Sequence, residues 1–156
     1  MLALSCGGGS DEKKEEKAKV KLKKQKTEKA VETTNTNTLA SLTVDLTNKG
    51  VGPITSLKLD AKIDQAMVTH GKDVYDRMCL ACHRADKKFI GPAPAGIMER
   101  RTPEWIMNMI LDPEGMVKDD PLARKLLIEF NGSPMANQNL TEEEARAVLE
   151  YFRTLK

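Results

Sequence analysis

Cys79, Cys82 and His83 fall in the run Cys79-Leu80-Ala81-Cys82-His83, a C-x-x-C-H spacing. On a helical backbone a separation of three puts both thiols on one face, within reach of two vinyl groups on neighbouring pyrroles of one porphyrin. The histidine that follows lies beneath the iron, so five consecutive residues supply two thioether bonds and one proximal imidazole. That is the signature of covalent haem attachment. Two rival chemistries each lack their other half. A tetrahedral zinc site needs a second ligand pair, and the rest of the chain holds only His70 and Cys6. A redox dithiol wants a strand before it, whereas a helical pattern precedes Cys79. His70 reads as a polar-face residue of that helix.

The elements that must position these groups lie in the second half of the chain. Of 156 residues 31% are charged and only 4% aromatic. Tyr75, Phe89, Trp105, Phe130, Tyr151 and Phe152 are all the aromatics, so the apolar core belongs to residues 64 to 156. A domain this short gains from an enclosed porphyrin, which supplies apolar surface the chain lacks. Asp64 caps a first helix carrying Met67, Gly71, Val74, Tyr75 and Met78 on one face. Thr141 and Glu144 form a capping box for a last helix whose stripe is Ala145, Val148, Leu149, Phe152 and Leu155. Gly71 predicts a close crossing of the two, because a glycine inside a helix costs about 1 kcal/mol against alanine. Between them, Thr102-Pro103 opens a helix that Asp112-Pro113 ends, and Asp120-Pro121 opens another with stripe Leu122, Leu126, Leu127 and Phe130. Met98 and Met116 read as loop residues. The pattern predicts an all-α globule of four to five helices around a covalent haem, preceded by a long disordered N-terminal linker.

The N-terminal part reads differently. Residues 1 to 6 end in Ser5-Cys6 and resemble the end of a bacterial lipoprotein signal peptide, which makes Cys6 the lipidation site and a membrane anchor. Residues 7 to 48 form a disordered charged linker: a Gly/Ser start, a mixed Lys/Glu run over 11 to 32 with no apolar stripe to bury, and a Thr/Asn tract over 33 to 38. Lysines of mixed-sign surroundings without aromatics give no nucleic-acid surface. Residues 49 to 63 begin with the turn Lys49-Gly50-Val51-Gly52-Pro53 and then space Ile54, Leu57, Leu59 and Ile63 as an extended arm packing on the domain. No stretch is apolar for the roughly 20 residues a bilayer span needs.

From Asp64 to Lys156 the chain resembles a class I monohaem cytochrome c, on its C-x-x-C-H motif, Gly91-Pro92, the Gly96, Ile97 and Arg100 pattern, and Tyr75, Val148 and Tyr151. Arg101 to Ile110 and Asn48 to Pro53 are similar to lipoprotein cytochromes of Bacteroidetes. The resemblance implies haem c between His83 and a methionine, with Cys79 and Cys82 as thioether donors. It implies that the Pro92 carbonyl accepts the ring N–H of His83, that Arg100 faces a haem propionate, and that Trp105 bonds a propionate or simply packs. Met135, in the loop before the last helix, stands where the family has its ligand. A His/Met pair saturates iron and leaves electron transfer, not catalysis, as the expected function. Expected partners are an upstream quinol-oxidising complex and a terminal oxidase or a nitrous-oxide-type reductase. The expected protein is an exported monomer, periplasmic or on the outer face of a membrane. If Met135 does not bind, a five-coordinate peroxidase or gas sensor is the alternative.

Overall fold

The computed structural model describes residues 38 to 156; Cys6 and most of the expected linker lie outside them. Five helices follow one another: α1 (Gln65–Met78), α2 (Pro103–Leu111), α3 (Pro113–Asp119), α4 (Pro121–Glu129) and α5 (Glu142–Phe152), with a single 3-10 turn at Ile97–Glu99. There is no strand among the described residues, only an isolated bridge between Asp45 and Arg101.

α1 starts where its N-cap satisfies it: the Asp64 carboxylate accepts from the backbone N–H groups of Ala66 (2.9 Å) and Met67 (3.0 Å). α5 starts at a full capping box, with Glu144 N–H donating to Thr141 Oγ1 (3.1 Å) and Thr141 N–H to the Glu144 carboxylate (2.9 Å). The two helices cross with backbones nearly touching. A Cβ on Gly71 would overlap the Ala147 carbonyl, which only glycine avoids. Beside the crossing, the Tyr75 ring packs against Tyr151 and, edge to face, against Phe152, with centroids 5.5 and 5.8 Å away. Val74, Val148 and Leu149 are fully buried there.

α2, α3 and α4 repeat one local device: a capping oxygen followed by proline at the first helical position. Trp105 N–H donates to Thr102 Oγ1 (3.1 Å), Gly115 N–H to Asp112 (3.0 Å) and Ala123 N–H to Asp120 (2.7 Å). Asp112-Pro113 does end α2, but it does not open a loop. Asp112 serves at once as the C-cap of α2 and the N-cap of α3, so residues expected to be irregular form a helix. Met116 thereby becomes a core residue of α3, and Met98 sits in the 3-10 turn. Of the α4 stripe, Leu122 and Phe130 are buried while Leu126 and Leu127 are half-buried.

The arm begins earlier than its sequence suggests. Residues 38 to 48, read as linker, lie on the domain because buried side chains supply the partners their backbone lacks. Arg101 donates to the carbonyls of Ala40 (2.6 Å) and Thr43, Thr102 Oγ1 to Asn48 O (2.5 Å), and Asp45 N–H to Arg100 O (2.9 Å). Ser41 Oγ and N–H both reach the Glu129 carboxylate, at 2.5 and 2.8 Å. Farther along, Asn108 holds the turn by donating to Lys49 O and Ile54 O while accepting from Ile54 N–H. Gly50, at φ 73°, admits no side chain, since a Cβ there would strike the Met116 sulfur.

Glu150 closes the globule from below. It is 1% exposed and accepts from Arg146 (2.6 Å), Arg153 (2.7 Å) and the Asp64 N–H (3.0 Å). Burial alone raises its pKa, but the bonds from Arg153, Asp64 and Arg146 outweigh burial and hold it below the ordinary 4.5. A carboxylate with a depressed folded pKa contributes stability that is present above the unfolded pKa and lost as pH falls through the folded one. Glu150→Gln should therefore lower the denaturation free energy of the holoprotein by about 1 to 3 kcal/mol at pH 7. The gap from wild type should narrow in titrations carried below pH 4.5, as followed by far-UV circular dichroism.

Candidate functional site

The last turn of α1 delivers the motif. Cys79 is its C-cap, and helical hydrogen bonding runs one turn past the helix end: Cys82 N–H and His83 N–H both donate to Cys79 O, at 3.1 and 2.9 Å. The two cysteines are thus presented one turn apart, unbridged, Cys79 half-buried and Cys82 exposed. Burial, reinforced by the neighbouring Cys82, pushes the Cys79 thiol up to about 11. A redox-active dithiol needs the opposite shift. Among the described residues no three His, Cys, Asp or Glu side chains gather into a metal cluster.

His83 is oriented by the loop that follows. Its Nδ1 lies 2.8 Å from the Pro92 carbonyl, a bond in which the ring N–H donates and which leaves Nε2 as the free, basic nitrogen. The loop comes so close that a Cβ on Gly91 would stand 2.5 Å from His83 Cε1. Gly91 N–H donates to Cys82 O (2.9 Å), which ties the loop back to the motif. Arg100 donates to Ala95 O (2.9 Å), and Gly96 N–H reaches Leu155 O (3.2 Å) beyond the end of α5.

These groups open into one cleft walled by α1, α2, α4, α5 and the loop after α4. Cys79, Cys82, His83, Pro92, Arg100, Trp105 and Met135 all line it. Trp105 lines it by its ring; its indole N–H is engaged by Asp120 Oδ1 at 3.3 Å, so in this structure that donor serves the α4 cap and not the cleft. The methionines divide. Met107 and Met116 are core, the Met116 sulfur accepting from Val51 N–H, whereas Met78, Met109 and Met135 share the cleft with His83. Met135 stands on a nonhelical loop entered through Asn131 and Gly132, both at positive φ, and Asn137 pins that loop to the Leu111 carbonyl. Sequence reasoning missed Ser41 and Arg101, which also line the cleft. Ser41 alternates with Leu42, Val44 and Leu46, which stay exposed, so that pattern points to the opposite face, and the only signal for Arg101 is the doubled basic pair with Arg100.

The residues present fit a haem. The walls are mostly apolar, from residues such as Ile97, Ile106, Leu126 and Val148. The donor set is two thiols, one imidazole with its outer nitrogen bound, and thioethers. Two buried polar atoms on the lining residues, Tyr75 OH and Arg101 Nε, have no partner among the described residues. Desolvation raises the Tyr75 phenol to about 12, so it stays a neutral donor.

Known proteins align with this arrangement. Residues 68 to 156 match the family model described as cytochrome c. A cytochrome c2 of Rhodopseudomonas palustris is 27% identical over 104 residues, covering 51% of this chain and 91% of that protein. A solved cytochrome c from Rhodothermus marinus is 39% identical, with a TM-score of 0.64 over 74% of this chain and 91% of that one. An engineered form of it is 38% identical, with the same TM-score, over 74% and 92%.

The closeness of Gly91 to the imidazole yields a test. Gly91→Ala should push the His83 ring off the Pro92 carbonyl and cut the yield of haem-bearing protein about 10-fold. The ring N–H of what remains should exchange faster in 15N NMR spectra.

Proposed function

The chain belongs to the cytochrome c family as a class I monohaem cytochrome c, an electron-transfer protein with one covalent haem c, and from that premise we propose that His83 and Met135 are its axial ligands. The observation that carries the reading is that, of the three methionines that line the cleft with His83, Met135 alone stands on a loop while Met78 and Met109 belong to α1 and α2, and the Nδ1 of His83 is already bound to Pro92. Cys79 and Cys82 would hold the haem by thioether bonds. The haem supplies a one-electron ferric/ferrous couple. The chain's own contribution would be to enclose the haem in apolar walls and to offer His83 and Met135 to its iron.

Each residue acts in a stated way. The Pro92 carbonyl fixes the His83 tautomer and makes Nε2 a stronger donor. With haem bound, the thioether of Met135 would favour the ferrous state and would leave no position for peroxide or gas. Met109 and Met78 pack the wall. On this reading the protein is a carrier, not an enzyme, and the five-coordinate peroxidase or sensor is what would result if Met135 stood free.

Partners are redox proteins, in our reading a quinol-oxidising complex upstream and a terminal oxidase or nitrous-oxide-type reductase downstream. We place the protein outside the cytoplasm, in the periplasm or on an outer membrane face, anchored by lipid on Cys6. Exposed Cys82, Pro134 and Ala136 surround the cleft mouth, and that rim is the docking face. From Asp64 onward 13 Lys/Arg stand against 15 Asp/Glu, so long-range steering is weak and a small contact suffices.

Two experiments test this. Met135→Ala should fold with covalent haem yet lose the sulfur-to-iron charge-transfer band of the ferric spectrum completely; a retained band assigns the sixth ligand elsewhere. In stopped-flow reactions of residues 38 to 156 with a redox partner, Ala136→Glu should slow the second-order rate about tenfold, whereas salt should change the wild-type rate only modestly. A steep fall with ionic strength would move the docking face to a charged patch.

A further inference from the structure

Residues 41 to 47 alternate polar and aliphatic, Ser41-Leu42-Thr43-Val44-Asp45-Leu46-Thr47, a pattern that ordinarily turns its aliphatic side to a core. Here the polar side is the one held to the domain. Ser41 donates to the Glu129 carboxylate through both its N–H and its hydroxyl, Arg101 donates to the carbonyls of Ala40 and Thr43, and Asp45 N–H donates to Arg100 O. A slip of one residue would turn the aliphatic side inward, and these bonds prevent it. Leu42, Val44 and Leu46 are left facing out, and together with Leu39 they are 54 to 62% exposed. Side chains at alternate positions make a narrow ridge rather than a broad face. A stable dimer buries about 800 Å² on each partner, more than such a ridge supplies, whereas side chains that enter the boundary between lipid headgroups and acyl chains need no complementary surface.

The sequence that leads into the ridge points to what covers it. Lys17-Ala18-Lys19-Val20-Lys21-Leu22-Lys23-Lys24-Gln25-Lys26 holds six lysines in ten residues with no acid among them. Residues 27 to 38 connect this run to Leu39, a separation of at most about 45 Å along the chain. A surface that offers phosphates beside hydrocarbon engages both features at once. We propose that the ridge of Leu39, Leu42, Val44 and Leu46 is a membrane contact: its side chains enter the interface of an anionic phospholipid bilayer while the lysines of residues 17 to 26 pair with lipid phosphates. None of the four ridge residues lines the haem cleft, so the contact leaves the cleft mouth to redox partners. It needs no acyl chain on Cys6 and stands apart from that assignment.

The test uses the full-length holoprotein with Cys6→Ser, which removes any acyl chain, and vesicles of phosphatidylcholine containing one quarter phosphatidylglycerol. This parent should cosediment with the vesicles; its staying in the supernatant overturns the proposal. Leu42→Ser, Val44→Ser and Leu46→Ser together should lower the partition coefficient about tenfold. The three side chains are exposed, so the variant keeps its fold, which the haem absorption spectrum checks. Phe89→Ser, at an exposed ring in the loop after the haem motif, should bind as the parent does. Equal binding of the triple variant reduces the contact to the lysines alone and overturns the proposal. A nitrobenzoxadiazole label on the Val44→Cys variant should shift its emission to the blue when vesicles are added, and an unshifted emission also overturns it. If the parent sediments as a dimer that the triple variant breaks, or if that variant slows electron exchange with a redox protein in the absence of vesicles, the ridge belongs to a protein interface and the proposal falls.

Discussion

The close passage of α1 over α5 at Gly71 is the constraint on which the rest depends. With the α1 backbone set against the Ala147 carbonyl, α1 has no freedom to slide or rotate, so the position of its C-terminus is fixed. That end is Cys79, and the helical turn beyond it carries Cys82 and His83. α5 is fixed by the same contact, and the chain just past it meets the 83 to 96 loop where Leu155 O accepts from Gly96 N–H. Both sides of His83 therefore trace back to a single missing side chain. Packing of Tyr75 between Tyr151 and Phe152 and the triple acceptance by Glu150 make that crossing stiff without lengthening either helix.

What could be read from sequence was whatever is encoded within a few residues. C-x-x-C-H, the Asp64 cap, the Thr141/Glu144 box and the two amphipathic stripes are local patterns, and the fold of five helices and the cytochrome c family follow from them. α3 was missed because seven residues give no stripe and because Asp112 serves two helices, which a boundary signal cannot express. The order of residues 38 to 48 was missed for a different reason. The alternation of Leu42, Val44 and Leu46 with Ser41, Thr43 and Asp45 marks the apolar side for burial, yet those three stay exposed, and the partners of the segment, Arg101, Asp120 and Glu129, lie 58 to 88 residues away. Of the two readings of Trp105, propionate donor or core packing, the ring is buried and its N–H donates to a cap residue fifteen positions on.

Polar side chains substitute here for secondary structure. Asn108 alone satisfies three backbone groups of the 49 to 54 turn, and Glu104 takes the Leu57 N–H and the Lys49 ammonium at 3.1 and 3.2 Å. Burial raises the Glu104 pKa, but its hydrogen bonds, with Lys49 and Leu57 among the donors, bring it below 4.5, so the group stays ionised where it is needed as an acceptor. An arm without helix or strand is thereby held by a helix whose inner face is partly polar. Removing such a residue exposes unsatisfied groups on both partners, so the polar face of α2 is as restrictive as an apolar core.

The Ser41 to Glu129 and Asp64 to Glu150 bonds join residues 88 and 86 positions apart. Contacts of such long sequence separation form late, because the loop they close must be ordered before they are rewarded. The haem motif at 79 to 83 lies inside both loops. While both loops are open, the thioether-forming residues stand on an accessible chain. A chain that failed to receive its haem would have no reason to complete either closure, and its unsettled arm would be the segment a surveillance protease meets first.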